Sequence, residues 1–260
     1  MIAIAQFSVR LMCGMSLMWC LMPRSQVTCG FFRIQMLVAL GLSVLAALTL
    51  GEADAEIFNA QHASLSLSNV WLGCWGLAGA AFFGSILWTL QRRLPASLFV
   101  FLIAAAAGSL LLGMTPVDAA TSRENALRLV SELSSALLLG GAVTGMLLGH
   151  WYLTAPTMSI APLNRLTFYF GGAAVFRLAL SAIALALAWQ QLSSDTHLVW
   201  LGLRWLAGIL GPLAVFVATW RILKYRNTQA ATGVLFVGVI LSFIGEMTAS
   251  LLFSDLRMPL

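Results

Sequence analysis

The chain has 260 residues, of which 9% are charged and 60% hydrophobic, with a formal net charge of +5 and a mean hydropathy of +0.93. A globular domain in water carries roughly 25% charged residues, so so few charges exclude a soluble enzyme, a nucleic-acid-binding domain and a disordered chain. The basic residues punctuate apolar runs, where they act as topology signals, and the fold class read from composition is an all-α, polytopic integral membrane protein with the lipid bilayer as its first partner.

A hydrocarbon core of ~30 Å is crossed by about 20 apolar residues in helical form. The sequence predicts spans near 4–22, 32–50, 70–90, 95–114, 129–152, 165–189, 198–223 and 230–253. Arg10 interrupts the first and Pro23 closes it. An alternative with seven spans lays residues 1–23 along the cytoplasmic surface. No basic region precedes the apolar start and no small-residue cleavage site follows, so a removable signal peptide is not expected. The longest outer loop, about residues 51–69, has room for a short helix or lid.

The connections alternate in charge. Arg24 and Arg33, Arg92 and Arg93, Arg165, and then Arg221, Lys224 and Arg226 mark one side. Glu52, Asp54 and Glu56, a balanced Asp118, Arg123, Glu124 and Arg128, and Asp195 mark the other. Basic residues collect on the cytoplasmic side, which turns both termini of an eight-span chain outward and fits the plasma (inner) membrane.

The two halves share a pattern. Val70-Trp71-Leu72-Gly73 with Leu77-Ala78-Gly79 matches Val199-Trp200-Leu201-Gly202 with Leu206-Ala207-Gly208; Gly14-Met15 matches Gly145-Met146, Trp19 matches Trp151, Arg33 matches Arg165, and Trp88 matches Trp220. All these offsets are about 130 residues, and they fall at matching span positions, as a duplication would give. The expected organisation is a parallel 4+4 internal repeat: a four-helix unit over 1–114, an outer linker over 115–128 and a second four-helix unit over 129–260. Repeats of four helices have the same orientation and are related by an axis along the membrane normal.

Ionisable groups within spans are functional candidates by default. Arg177 sits near the middle of the sixth span, Arg204 about seven residues inside the outer end of the seventh, and Glu246 about seven inside the outer end of the eighth, or ~10 Å deep. Glu132 enters the fifth span from the same side and Arg10 the first. As a site, these residues form a net-positive pocket suited to an anionic group. As struts, they form Arg204–Glu246 and Arg177–Glu132 pairs that hold the bundle together.

Gly141, Gly145 and Gly149 recur every fourth residue and give the fifth span a smooth face, suited to close helix packing or to a flat cofactor. His150 follows, in Gly149-His150-Trp151-Tyr152, and is the one histidine well within a predicted span. An imidazole there suits haem ligation or a hydrogen bond to a quinone carbonyl, while Trp151 and Tyr152 also suit the interfacial aromatic belt. Bis-histidine haem ligation needs a second histidine, and His62 and His197 fall in outer loops, so methionine is the remaining axial partner. Asn227 or Thr228 is placed to cap the last helix. Cys13, Cys20, Cys29 and Cys74 have no metal-ligand spacing and read as buried thiols. No metal site, phosphate loop, nucleophile elbow or metalloprotease motif is present.

The first functional expectation is a quinone- or haem-binding membrane subunit of a redox or respiratory assembly, working with other membrane subunits. The rivals are a small transporter of an anionic solute, using Arg177, Arg204 and Glu246, and an assembly protein without its own ligand. A fourth is a membrane enzyme with Glu132 or Glu246 as base.

Overall fold

The computed structural model describes residues 1–61, 65–116, 122–155, 157–188 and 195–256; His62, Asp118 and Pro156 lie outside them. Among the described residues the regular secondary structure is all helical, with no strand. The helices are α1 (Ile2–Leu21), α2 (Cys29–Gly51), α3 (Ala55–Gln61), α4 (Leu67–Thr89), α5 (Arg93–Gly113), α6 (Ser122–Thr154), α7 (Ala161–Ala188), α8 (Asp195–Trp205), α9 (Gly211–Lys224) and α10 (Thr228–Leu256). Eight segments are long and apolar enough to cross a membrane, α8 and α9 joining into one of them. The protein is a multi-pass membrane protein by this architecture. Each predicted span is found, with ends a few residues from the predicted ones.

The chain divides into two compact units, Met1–Ala136 and Leu137–Leu260, the boundary lying within α6. In the first unit α1 packs against α2 and α5, and α4 packs against the same two helices. Of the most apolar stretch of α1, 67% is buried, against 39% for α2, α4 and α5. α1 is therefore an enclosed span, not a helix lying on a surface. Arg10, the residue that interrupts its hydropathy, is itself buried. Trp19 is fully enclosed, and its indole N–H donates to Gln35 Oε1 of α2 at 3.2 Å. Phe32 of α2 stacks on Trp88 of α4 with ring centroids 4.5 Å apart.

The short α3 lies in the long loop, where Asp54 Oδ1 accepts from the backbone N–H groups of Glu56 at 2.8 Å and Ile57 at 3.3 Å. These are the donors that a helix start leaves without an intrahelical partner. α4 ends in the reverse way. Gln91 takes a φ of 56°, Arg92 N–H bonds Leu87 O at 3.0 Å and Gln91 N–H bonds Trp88 O at 3.2 Å. This is a Schellman motif with glutamine where glycine is usual. Gln91→Gly is expected to raise stability by about 1 kcal/mol, because an L side chain disfavours that backbone; the thermal midpoint in mild detergent measures it.

In the second unit the glycine face of α6 is a packing face. A β-carbon on Gly141 would lie 3.2 Å from Phe170 Cα of α7, one on Gly145 3.7 Å from Leu235 Cδ2 of α10, and one on Gly149 2.6 Å from Thr232 Oγ1 of α10. The penultimate span departs from a plain helix. Between α8 and α9, Leu206–Leu210 form a π-helical turn in which the Gly211 N–H reaches back to Leu206 O. Pro212 follows at the start of α9. It cannot donate to the preceding turn, and a widened turn beside it absorbs the mismatch. The 3.6-residue pattern of the sequence gives no sign of this turn. α10 starts as expected, with Asn227 Oδ1 accepting from the Ala230 N–H at 3.0 Å.

Candidate functional site: a buried cluster of two arginines and one glutamate

Three helices of the second unit bring Arg177 (α7), Arg204 (α8) and Glu246 (α10) together. Arg177 donates through Nε to Glu246 Oε1 at 3.1 Å and through Nη2 to Oε2 at 3.0 Å, a bidentate fork. Arg204 Nη1 donates to the same Oε1 at 2.9 Å, and its Nη2 donates to Ser181 Oγ at 3.3 Å. Ser181 stands one turn beyond Arg177 on α7. Arg177 is 3% exposed, Arg204 0%, Glu246 1% and Ser181 1%. Two guanidinium groups thus share one carboxylate away from solvent. Such forks are short and strong because both partners are charged.

The backbone is shaped around this cluster. A β-carbon on Gly208 would lie 2.7 Å from Arg204 Nη1 and 2.7 Å from Gly245 Cα, while one on Gly245 would fall on the Gly208 backbone. The two glycines let the π-helical turn and α10 touch main chain to main chain beside Glu246. Arg204 and Glu246 each lie about nine residues, or ~14 Å, inside the ends of their spans at Asp195 and Asp255. At those ends His197 Nε2 and Asp255 Oδ2 stand 3.6 Å apart.

The expected Arg204–Glu246 pair is present. The expected Arg177–Glu132 pair is not: Arg177 is turned to Glu246, and Glu132 is held by Arg10 of the first unit. Arg10 donates through Nε to Glu132 Oε2 at 2.8 Å and through Nη2 to Oε1 at 2.7 Å, with Gln6 Nε2 adding a bond to Oε1 at 3.3 Å. That group is one cation on one anion, a neutral strut joining α1 to α6. Replacing a charged pair by packed apolar residues is often harmless, whereas removing one member costs about 3–5 kcal/mol when both are buried, and less where one is part-exposed as Glu132 is. Arg10→Met with Glu132→Leu is therefore expected to melt near the wild type in detergent, and either single change well below it.

The residues around His150 are arranged differently. His150 is exposed, Trp151 half-buried and Tyr152 buried. The Tyr152 hydroxyl donates to the Ser159 carbonyl oxygen and ties the end of α6 to the following loop. Gly145 and Gly149 face Leu235 and Thr232. Among the described residues no group of three histidine, cysteine or acidic side chains is placed to hold a metal ion. Sequence reasoning missed Ser181, Gly208, Gly245 and Gln6. Small and hydroxyl residues are common in every span, and only the fold shows which of them meet a charge.

Comparison with known proteins returns no matching family model, no matching curated protein and no matching solved structure.

Proposed function

We propose that the chain is a small transporter of anionic solutes, built as two tandem four-helix units in the plasma (inner) membrane with its basic loops toward the cytoplasm. The observation that carries this reading is the burial of two guanidinium groups on one carboxylate within an apolar unit. Arginines within spans are functional candidates by default, and guanidinium groups that already fork onto a carboxylate have the geometry to receive an anionic solute.

In this mechanism Arg177 keeps its fork on Glu246, and Arg204 exchanges its bond to Oε1 for one to the solute. The carboxylate acts as a tethered competitor that keeps the site in order between solutes. The π-helical turn beside Arg204 and the Gly208–Gly245 contact supply the place where α8 and α10 part. Uptake of radiolabelled acetate, chloride and phosphate into proteoliposomes, driven by an inside-positive potential, tests the reading. Uptake of at least one anion above protein-free vesicles is expected, with Arg204→Gln returning it to background while the detergent-solubilised protein stays monodisperse. Background uptake of all three by the wild type would sink the proposal.

A second reading is favoured by one observation, the exposure of His150 at the end of a spanning helix. There it is available to a quinone or haem shared with a neighbouring membrane subunit, with Trp151 and Tyr152 beside it. Oxidised and reduced visible spectra of the protein purified in mild detergent test for haem. A Soret band that shifts on reduction and is lost in His150→Ala supports this reading.

A further inference from the structure

We infer that the basic end of the first unit binds the headgroup of an anionic phospholipid through Arg24, Arg92 and Arg93, with the acyl chains laid along the exposed leucines of α5. The inference is independent of the transport reading.

Topology explains why cations collect at this end, but a topology signal needs only their number. Here two of them are fixed in place. After α1 the chain makes a 3₁₀ turn over Arg24–Gln26. Arg93, at the start of α5, donates through Nη1 to the carbonyl oxygens of Arg24 and Ser25, each at 3.3 Å. Arg24 donates through its own Nη1 to Trp19 O and Cys20 O, each at 3.3 Å. Its guanidinium lies over the Phe101 ring of α5, 4.6 Å from the centroid. The α1–α2 connection is thus clasped to α5 at two points.

Every partner in this clasp is neutral, a carbonyl or an aromatic face. Among the described residues none of Arg24, Arg92 and Arg93 pairs with a carboxylate. Glu52, Asp54 and Glu56 follow the other end of α2, a 23-residue helix ~35 Å long, and Glu132 is held by Arg10. Arg92 and Arg93 are exposed and Arg24 is half-buried. Three positive charges therefore stand at the end of the spans with no anion from the chain beside them. A phosphodiester supplies one, and its oxygens accept charge-assisted bonds from guanidinium groups.

The surface of α5 supplies the rest of a lipid site. Arg93, Ser97 and Phe101 are four residues apart and follow one another along one face, so Ser97 stands between Arg93 and the ring beneath Arg24. One residue on, Leu94, Leu98 and Leu102 make an adjoining stripe, 87%, 69% and 53% exposed, that runs from the arginines into the span. A cationic grip at the head of an apolar stripe matches a phospholipid along its length. A free phosphate would meet the grip and leave the stripe bare.

The test is native mass spectrometry of the full chain released from mild detergent, after addition of dioleoyl phosphatidylglycerol, dioleoyl phosphatidylcholine or glycerol phosphate at equal concentration. At least one phosphatidylglycerol is expected to stay on the chain where the other two do not. Arg92→Gln with Arg93→Gln is expected to lower its retention several-fold, and Arg92→Gln alone, at a residue outside the clasp, to lower it in part. Arg92→Lys with Arg93→Lys keeps the charge and should keep most of the binding. Arg165→Gln with Arg226→Gln removes the same charge from exposed positions of the second unit and should leave retention unchanged. Circular dichroism and a monodisperse elution profile show that each variant is folded. Equal loss in the two glutamine pairs would mean diffuse attraction and overturn the site. Equal retention of phosphatidylcholine would overturn it as well, and retention of glycerol phosphate would put a free phosphate in place of the lipid.

Discussion

Glu246→Ala is expected to be the most damaging single substitution in the second unit, lowering its stability by about 3–5 kcal/mol, the scale for an ion pair that loses one buried member. Two guanidinium groups, 3% and 0% exposed, would then face each other with no carboxylate between them. Arg204→Met separates a structural from a functional role. It removes the Arg204 guanidinium, leaves the Arg177–Glu246 fork intact and keeps most of the side-chain volume. If the cluster exists to hold helices together, Arg204→Met should melt clearly below the wild type, through loss of the bonds to Glu246 Oε1 and Ser181 Oγ. If Arg204 exists to meet an anion, it should melt near the wild type or above it and yet abolish uptake. Thermal midpoints of the three proteins in one detergent, read beside proteoliposome uptake, distinguish these outcomes.

Gly245→Ala is the second large effect. A single methyl group there would fall on the Gly208 backbone, and main chain cannot swing aside as the end of a side chain can. Overpacking of this kind costs about 1–3 kcal/mol. The strain would also part α10 from the π-helical turn and lengthen the reach of Arg204 to Glu246. Gly233→Ala and Gly172→Ala are the controls, because a β-carbon at either position meets nothing within 4 Å. They are expected to be neutral, or to gain up to about 1 kcal/mol from the better helix propensity of alanine. Melting curves that fail to separate Gly245→Ala from these controls would contradict the close approach.

The eight spans were legible because each is a run of apolar residues whose length matches a bilayer, a property of composition that needs no knowledge of neighbours. The membership of Arg204 and Glu246 in one cluster was legible for a similar reason: both lie at the same distance from the same side. The choice of partner for Arg177 was not. Two carboxylates, Glu132 and Glu246, enter from that side, and only the packing of α7 against its neighbours decides which one a guanidinium reaches. The same limit hid the burial of Phe170, one of fifteen phenylalanines, since the room for its ring comes from glycines far away in sequence. The glycines of α6 were seen as a smooth face. That Gly141 receives Phe170 while Gly145 and Gly149 receive α10 is information held by the partner helices.

The enclosure of α1 bears on the order in which the protein is made. Its Arg10 is neutralised by a carboxylate on α6, which leaves the ribosome 122 residues later, after every other helix of the first unit. Until then a guanidinium near the middle of the first span has no counter-ion, and lipid alone is a poor harbour for it. The nascent α1 must wait at the membrane surface or against the insertion machinery and settle among α2 and α5 only when Glu132 arrives. Insertion of the first helix is thus completed by the sixth, and a chain halted before α6 should leave α1 unanchored and open to alkaline extraction or proteolysis.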